Sequence, residues 1–286
     1  MTSDQKQTKM RVYEAHRSLP AIGPYLAETM SHLQFAYEKA RLDLRGAHKD
    51  TWFGRLWNVL NPLLLGAVYF LLVVVIFGDG GSILDEVALQ TFTQIIGGLF
   101  LFTLFSASLS LGARSIVGGG TFVLNTRLPR LILPIGAVIS AFLTFVPSLF
   151  VYSAFHLMAG YDIGFHLLWA IPIIAILVLI SLGMAMVFAT LTVYFRDVAS
   201  FLPYVIRIWL YLSPIIYLYT NVPAKLAWAL RVNPIGTLFA SWQQVLFEGN
   251  SPSGEFLTAS LGWAVAALIV GGLMFMRRER EFAVRI

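Results

Sequence analysis

Residues 41–66 read R-L-D-L-R-G-A-H-K-D-T-W-F-G-R-L-W-N-V-L-N-P-L-L-L-G. The first half is crowded with charge: Arg41, Asp43, Arg45, Lys49, Asp50 and Arg55. The second half runs into an uncharged apolar stretch that continues to Phe77. A charged amphipathic segment therefore turns into a run long enough to cross a bilayer. The rest of the chain can be placed from that junction.

Composition agrees with a membrane protein. Hydrophobic residues make up 58% of the 286 residues and charged residues 12%, against about 45–50% and about 25% in soluble domains. The chain has no soluble stretch large enough for a core of its own. It has no cysteine, which excludes disulfides, thiol nucleophiles and cysteine metal sites. Its net charge of +5 comes from basic residues at membrane flanks, a pattern that does not suggest nucleic-acid binding.

A helix needs about 20 apolar residues to cross the hydrocarbon core. Six segments qualify: 57–77, 92–112, 134–154, 169–193, 201–218 and 257–276. Each is expected to be helical, because a lone span must satisfy its own backbone hydrogen bonds. Residues 1–20 hold no apolar stretch of the signal-peptide kind, so the N-terminus is expected to stay in the cytosol. With that start, seventeen of the 20 Lys and Arg fall on the inner side, among them Arg114, Arg127, Arg130 and Arg196. The first outer loop carries Asp79, Asp85 and Glu86 and no base. The positive-inside bias thus puts both termini in the cytosol.

Outward from the junction, residues 1–23 read as a solvated tail and residues 24–50 as an amphipathic interface helix. Leu26, Met30, Leu33, Tyr37, Ala40 and Leu44 recur at helical steps along one stripe. Such a helix lies along the membrane surface or docks a partner. The inner loop 114–134 is broken by three glycines and then offers Phe122, Val123, Leu124 and Leu128, beside Arg127 and Arg130. So many apolar residues in an inner loop point to protein docking more than to surface packing. Pro203 and Pro214 are expected to kink the fifth span. Beyond it, residues 224–232 and 235–247 are too short to cross but apolar enough to enter the bilayer, which suggests an outer re-entrant hairpin. An outer loop on the lipid headgroups is the alternative.

The spans contain no Asp, Glu or Lys, which argues against ion-coupled transport and intramembrane acid–base catalysis. No H-E-x-x-H, G-x-S-x-G or phosphate-loop motif is present. This chain is therefore expected to be no enzyme, and to bind no metal, ATP or other cofactor. What the spans do hold is aromatic: Trp57, Tyr69, Tyr204, Trp209, Tyr211 and Tyr217, with Arg207 as the one charge. Tyr and Trp join an apolar face to a hydrogen-bonding tip, which suits a path for sugars. Interfacial belts account for the same residue types. Arg207 either snorkels to the cytosol or meets a phosphate or sugar in a wet cavity.

Four features carry a family resemblance: the junction at 43–63, the loop L-N-T-R-L-P-R-L-I-L-P, the Y-F-R-D at 194–197, and S-P-I-I-Y at 213–217 followed by Pro223 and Asn233-Pro234. In their order and spacing they resemble the membrane subunit of type-2 ABC exporters. The pattern is nearest the Wzm-like polysaccharide branch that handles O-antigen, teichoic acid or mycobacterial galactan. The chain departs from that pattern at Ala47-His48, where relatives often have an aromatic before the Lys. The resemblance implies an all-α, six-span domain over 51–286. It also implies a homodimer with two copies of a separate ATPase subunit, which would hold ATP and magnesium. The interface helix and the inner loop, with Phe122, Leu124, Arg127, Leu128 and Arg130, would then dock the ATPase. Arg45, Lys49 and Arg55 would meet the pyrophosphate of a lipid-linked substrate, or serve only as positive-inside anchors. Trp228, Asn233, Pro234 and Trp242 would form the outer gate. The expected activity is export of a polyprenyl-pyrophosphate-linked polysaccharide across a bacterial inner membrane. The alternatives are a drug or lipid permease of the same type, or a component of envelope glycan synthesis without transport.

Overall fold

The computed structural model describes residues 21–46, 51–72, 86–120 and 128–285, and among them the chain is entirely helical. Two short helices come first, α1 (Ile22–Ser31) and α2 (Leu33–Gly46). The sequence reading made these one helix. The break at His32 arises where side chains compete for backbone carbonyls. Ser31 Oγ donates to the Glu28 carbonyl at 2.7 Å, and His32 Nδ1 lies 2.8 Å from the same oxygen.

The bundle follows: α3 (Trp57–Leu71), α4 (Glu86–Gly118), α5 (Ile132–Met158), α6 (Ala170–Tyr194) and α7 (Asp197–Leu212). Next come α8 (Ala227–Val232), α9 (Gly236–Leu246) and α10 (Gly254–Arg285). Among the described residues, four stretches are long and apolar enough to cross a membrane: Val87–Gly118, Ile132–Met158, Phe165–Tyr194 and Gly254–Arg285. The first predicted span begins as read, at Trp57, and its far end lies outside the described residues.

The fifth differs from its reading. α7 ends at Leu212, six residues early, because Ser213 turns extended and Pro214 has no N–H with which to continue the ladder. Its 16 residues span about 24 Å, less than the roughly 30 Å of a hydrocarbon core.

The core is built around α4, which packs against α3, α5 and α6, while α6 pairs with α10 over the longest contact in the fold. Small residues permit these crossings. A Cβ on Gly112 would fall 2.5 Å from the Ala185 Cβ, and one on Gly66 would fall 2.6 Å from the Ile96 side chain. In lipid, where apolar surface gains little by leaving the solvent, such close approach is what associates helices.

The interface helices meet the bundle through their small residues. Thr29, Ala36 and Ala40 are buried, with α2 lying on α5, where a Cβ on Gly136 would meet the Ala36 carbonyl at 3.5 Å. Leu26, Leu33 and Met30 (68% exposed) point away from the chain.

Candidate functional site: a cationic cavity, an aromatic face and a clamped far end

At the end of the bundle that carries α1 and α2, a cavity of about 290 Å³ opens between α2, the start of α3 and α5. Tyr37, Arg41, Arg45, Asn58 and Thr144 supply its polar lining, and Leu44, Leu143 and Pro147 its apolar lining. Asn58 and Thr144 also border a second space of about 240 Å³ between α3, α4 and α5. There Asn61, Thr103, Ser106 and Ser110 face Pro62, Ala141 and Phe145. Thr103, Ser106 and Thr144 donate their hydroxyl protons to helix carbonyls. Their remaining lone pairs make the slot a row of acceptors. Two guanidinium groups at the mouth and hydroxyls within suit an anionic head followed by a polar chain. Arg45 was expected here and Arg41 was not. Lys49 and the Arg55 side chain lie outside the described residues.

The second feature is the outward face of α7. Phe201, Tyr204, Arg207, Ile208 and Tyr211 are all exposed, and their spacing keeps them on one side of the helix. Tyr211 meets α3 at Tyr69, with hydroxyls 3.0 Å apart and rings edge to face at 6.3 Å. Tyr69, Tyr204, Arg207 and Tyr211 thus come together as a predicted set. Trp209 does not join them: it turns inward, edge-on to Phe105 at 5.5 Å. Trp57 sits apart beside Phe53, at the α1–α2 end.

The far end is held by amides. Gln243 of α9 accepts the Tyr219 backbone N–H at 2.8 Å and donates to the carbonyls of Pro214 (2.8 Å) and Tyr217 (2.9 Å). Asn233 is buried; it donates to Ser213 Oγ at 2.8 Å, and its side-chain oxygen accepts the Ile235 N–H. Trp242 is buried and donates to the Gly97 carbonyl at 3.2 Å. A Cβ on the neighbouring Gly98 would lie 2.5 Å from the Ile215 carbonyl oxygen, so only glycine lets the 213–217 segment rest against α4. Pro234 is half-buried and Trp228 is 60% exposed. Tyr217 borders a cavity of about 270 Å³ with Gln94 and Asn221. Gln243 escaped the sequence reading; its one visible signal is a pair of adjacent amides, Gln243-Gln244, in a mostly apolar helix.

Of the predicted docking residues, Phe122, Leu124 and Arg127 lie outside the described residues, and Leu128 is half-buried. Arg130 is engaged within the chain: its backbone N–H donates to Glu279 Oε1 at 2.6 Å and its guanidinium to the Glu279 carbonyl.

A helical bundle with membrane-length apolar helices, a cationic cavity and a polar slot beside it suits a membrane transport subunit. The chain belongs to the ABC-2 type transporter family, whose pattern it matches over residues 43–247. It is similar to an O-antigen export system permease protein RfbA of Klebsiella pneumoniae, at 29% identity over 84% of this chain and 90% of that protein. It is also similar to the protein of that name in Myxococcus xanthus, at 27% identity over 85% and 92%. It is the transport subunit of an ABC system, with ATP hydrolysis on a separate partner.

Proposed function

We propose that the chain exports an O-antigen-like polysaccharide, carried on a polyprenyl pyrophosphate, from the cytosol across the bacterial inner membrane. In this reading two copies face each other through α3 and α7, each with one ATPase subunit beneath it, and both termini are cytosolic. The observation that carries it is the α7 face. Arg207, Tyr204 and Tyr211 stand exposed on a helix otherwise suited to lipid, with Tyr69 of α3 against Tyr211, and an arginine facing hydrocarbon is costly. A second copy around a wet, aromatic-lined path removes that cost, and tyrosine faces suit the C–H faces of sugars.

The cationic cavity supports the substrate's other end. Arg41 and Arg45 receive the pyrophosphate, and the hydroxyl slot takes the polar groups behind it. The fold also supports a re-entrant role for α8 and α9, since α9 is buried against α4, α6 and α10. The names of the relatives point to the same class of substrate.

Depletion of the protein tests the proposal. One long polyprenyl-linked glycan is expected to accumulate in the inner leaflet while surface glycan falls. Unchanged surface glycan with no accumulation overturns the substrate and moves a drug or lipid to its place. Reversing Arg41 and Arg45 together to Glu is expected to lower export by about tenfold or more, since charged hydrogen bonds contribute about 1.5–3 kcal/mol each. Both side chains reach the surface, so the amount of folded protein should stay near wild type. Export unchanged in that variant would remove the cavity from the route.

A further inference from the structure

Three elements far apart in sequence converge on one carboxylate. Glu279, near the tail of α10, is half-buried. Tyr25 of α1 donates its phenol to Glu279 Oε2 at 2.5 Å. The Arg130 backbone N–H, at the entrance to α5, donates to Oε1 at 2.6 Å, and the Arg130 guanidinium donates to the Glu279 carbonyl. Burial, and then the Glu279 charge, push the Tyr25 phenol up from its ordinary range, so it remains a donor. Beneath the carboxylate lies a small apolar core in which Ile116, Leu131, Phe275 and Phe282 meet. Two residues further on, Tyr194 at the end of α6 donates to Glu281 at 2.5 Å and lies under the Arg285 guanidinium at 4.3 Å. The tail of α10 therefore grips α1, the start of α5 and the end of α6 at once.

Two of these ties differ in weight. Glu281 is held by the exposed tails of Arg278 and Arg285, and surface pairs of that kind contribute ~0–1 kcal/mol. Glu279 has donors from two other elements in a partly dry site, where charge-assisted bonds are stronger.

We infer that Glu279 is a positioning residue for energy coupling: it locks α1 and the start of α5 to the tail of α10, so that this end of the bundle moves as one body when the ATPase acts on it. The inference rests on the proposed cytosolic placement of that end and not on the identity of the substrate. No step of substrate binding runs through Glu279. Its loss is therefore expected to separate hydrolysis from transport rather than stop both.

The test uses the complete permease–ATPase complex in vesicles, with Glu279→Ala, Glu279→Gln and Tyr25→Phe. Glu279→Ala is expected to hydrolyse ATP near the wild-type rate while glycan export per ATP falls about tenfold, within the usual range of coupling between sites. Glu279→Gln keeps one acceptor oxygen, and Tyr25→Phe keeps the Arg130 contact; both should fall between. Export per ATP unchanged in Glu279→Ala overturns the inference, as does a proportional loss of both activities, which a merely structural role would give. If Glu279→Ala does not assemble, Tyr25→Phe decides, because it removes a single hydroxyl: an unchanged ratio there overturns the inference.

A second readout is independent of the glycan. The chain has no cysteine, so Met30→Cys gives one exposed label site on α1. ATP should alter its maleimide labelling rate in the complex, and Glu279→Ala should abolish that response. A response that persists in Glu279→Ala overturns the inference. A wild-type complex that shows the response but moves no glycan sinks the proposed substrate and leaves Glu279 standing.

Discussion

Replacing Gly271 by valine is expected to leave almost no folded protein in the membrane. A Cβ at position 271 falls on the backbone carbonyl of Gly183, and a Cβ at 183 falls on the backbone of Ala267. Neither obstacle is a side chain that can swing aside. The whole α6–α10 crossing must open, and this is the most extensive helix pair in the fold. Overpacking a core with extra methyl groups typically costs about 1–3 kcal/mol. With main chain on both sides of the contact, the cost here should exceed about 3 kcal/mol. Opening the crossing also draws α10 away from Tyr25, Arg130 and Tyr194. Gly262 serves as the control, since a Cβ there meets nothing within 4 Å. Gly262→Ala should be neutral or stabilising by up to about 1 kcal/mol, the helix penalty of glycine. Thermal unfolding in detergent, followed by size-exclusion fluorescence, checks both. Equal recovery and equal midpoints for the two variants would show that the crossing does not depend on bare backbone.

The same glycines mark the limit of what the residues reveal in order. A run of apolar letters announces a span, but not which small residue meets which backbone. The 169–193 reading lands on α6 within one residue at each end, because its apolar run is long and ends at Tyr194-Phe195-Arg196-Asp197. The fifth span fails at its far end, where Pro214 stops α7 and a buried amide takes over the backbone groups. Most of the N-terminal stripe lies on the side of α1 and α2 turned away from the bundle, with Ala40 buried. Periodicity reports where apolar side chains cluster, and in a membrane protein that face can meet lipid while alanines face the protein. The aromatic set was legible by residue type and only partly by geometry. Tyr204, Arg207 and Tyr211 recur at three- and four-residue steps and share a face. Trp209 stands two residues from Arg207, which puts it on the opposite side of any helix. Glu279 gave no local signal, because its partners lie 149 and 254 residues away.

Gln243→Leu is expected to be the most damaging single change at the far end of the bundle. The two side chains are similar in size, so the loss is one of hydrogen bonds rather than volume. The Tyr219 N–H and the carbonyls of Pro214 and Tyr217 all lose their side-chain partner together. Stranding a buried group costs about 1–3 kcal/mol; the Pro214 bond is buried and the other two are partly so, so the three together should cost roughly 2–5 kcal/mol before the segment relaxes. Relaxation means that residues 213–219 leave α9 and α4, carrying Tyr217 with them. In the proposed exporter this is the outer end of the path, so export should fail even where some protein survives purification. Gln243→Glu separates hydrogen bonding from shape. It keeps the acceptor for Tyr219 but turns a second oxygen toward two carbonyls, so it should be about as harmful as leucine. Trp228→Ala removes a larger side chain nearby, yet Trp228 is exposed and should change stability by less than about 0.5 kcal/mol. Thermal midpoints of the three variants, read beside export, test the ordering. If Gln243→Leu unfolds with the wild type while Trp228→Ala does not, the 213–219 segment is held by its contact with Gly98 and the buried Asn233, and the glutamine is only seated there.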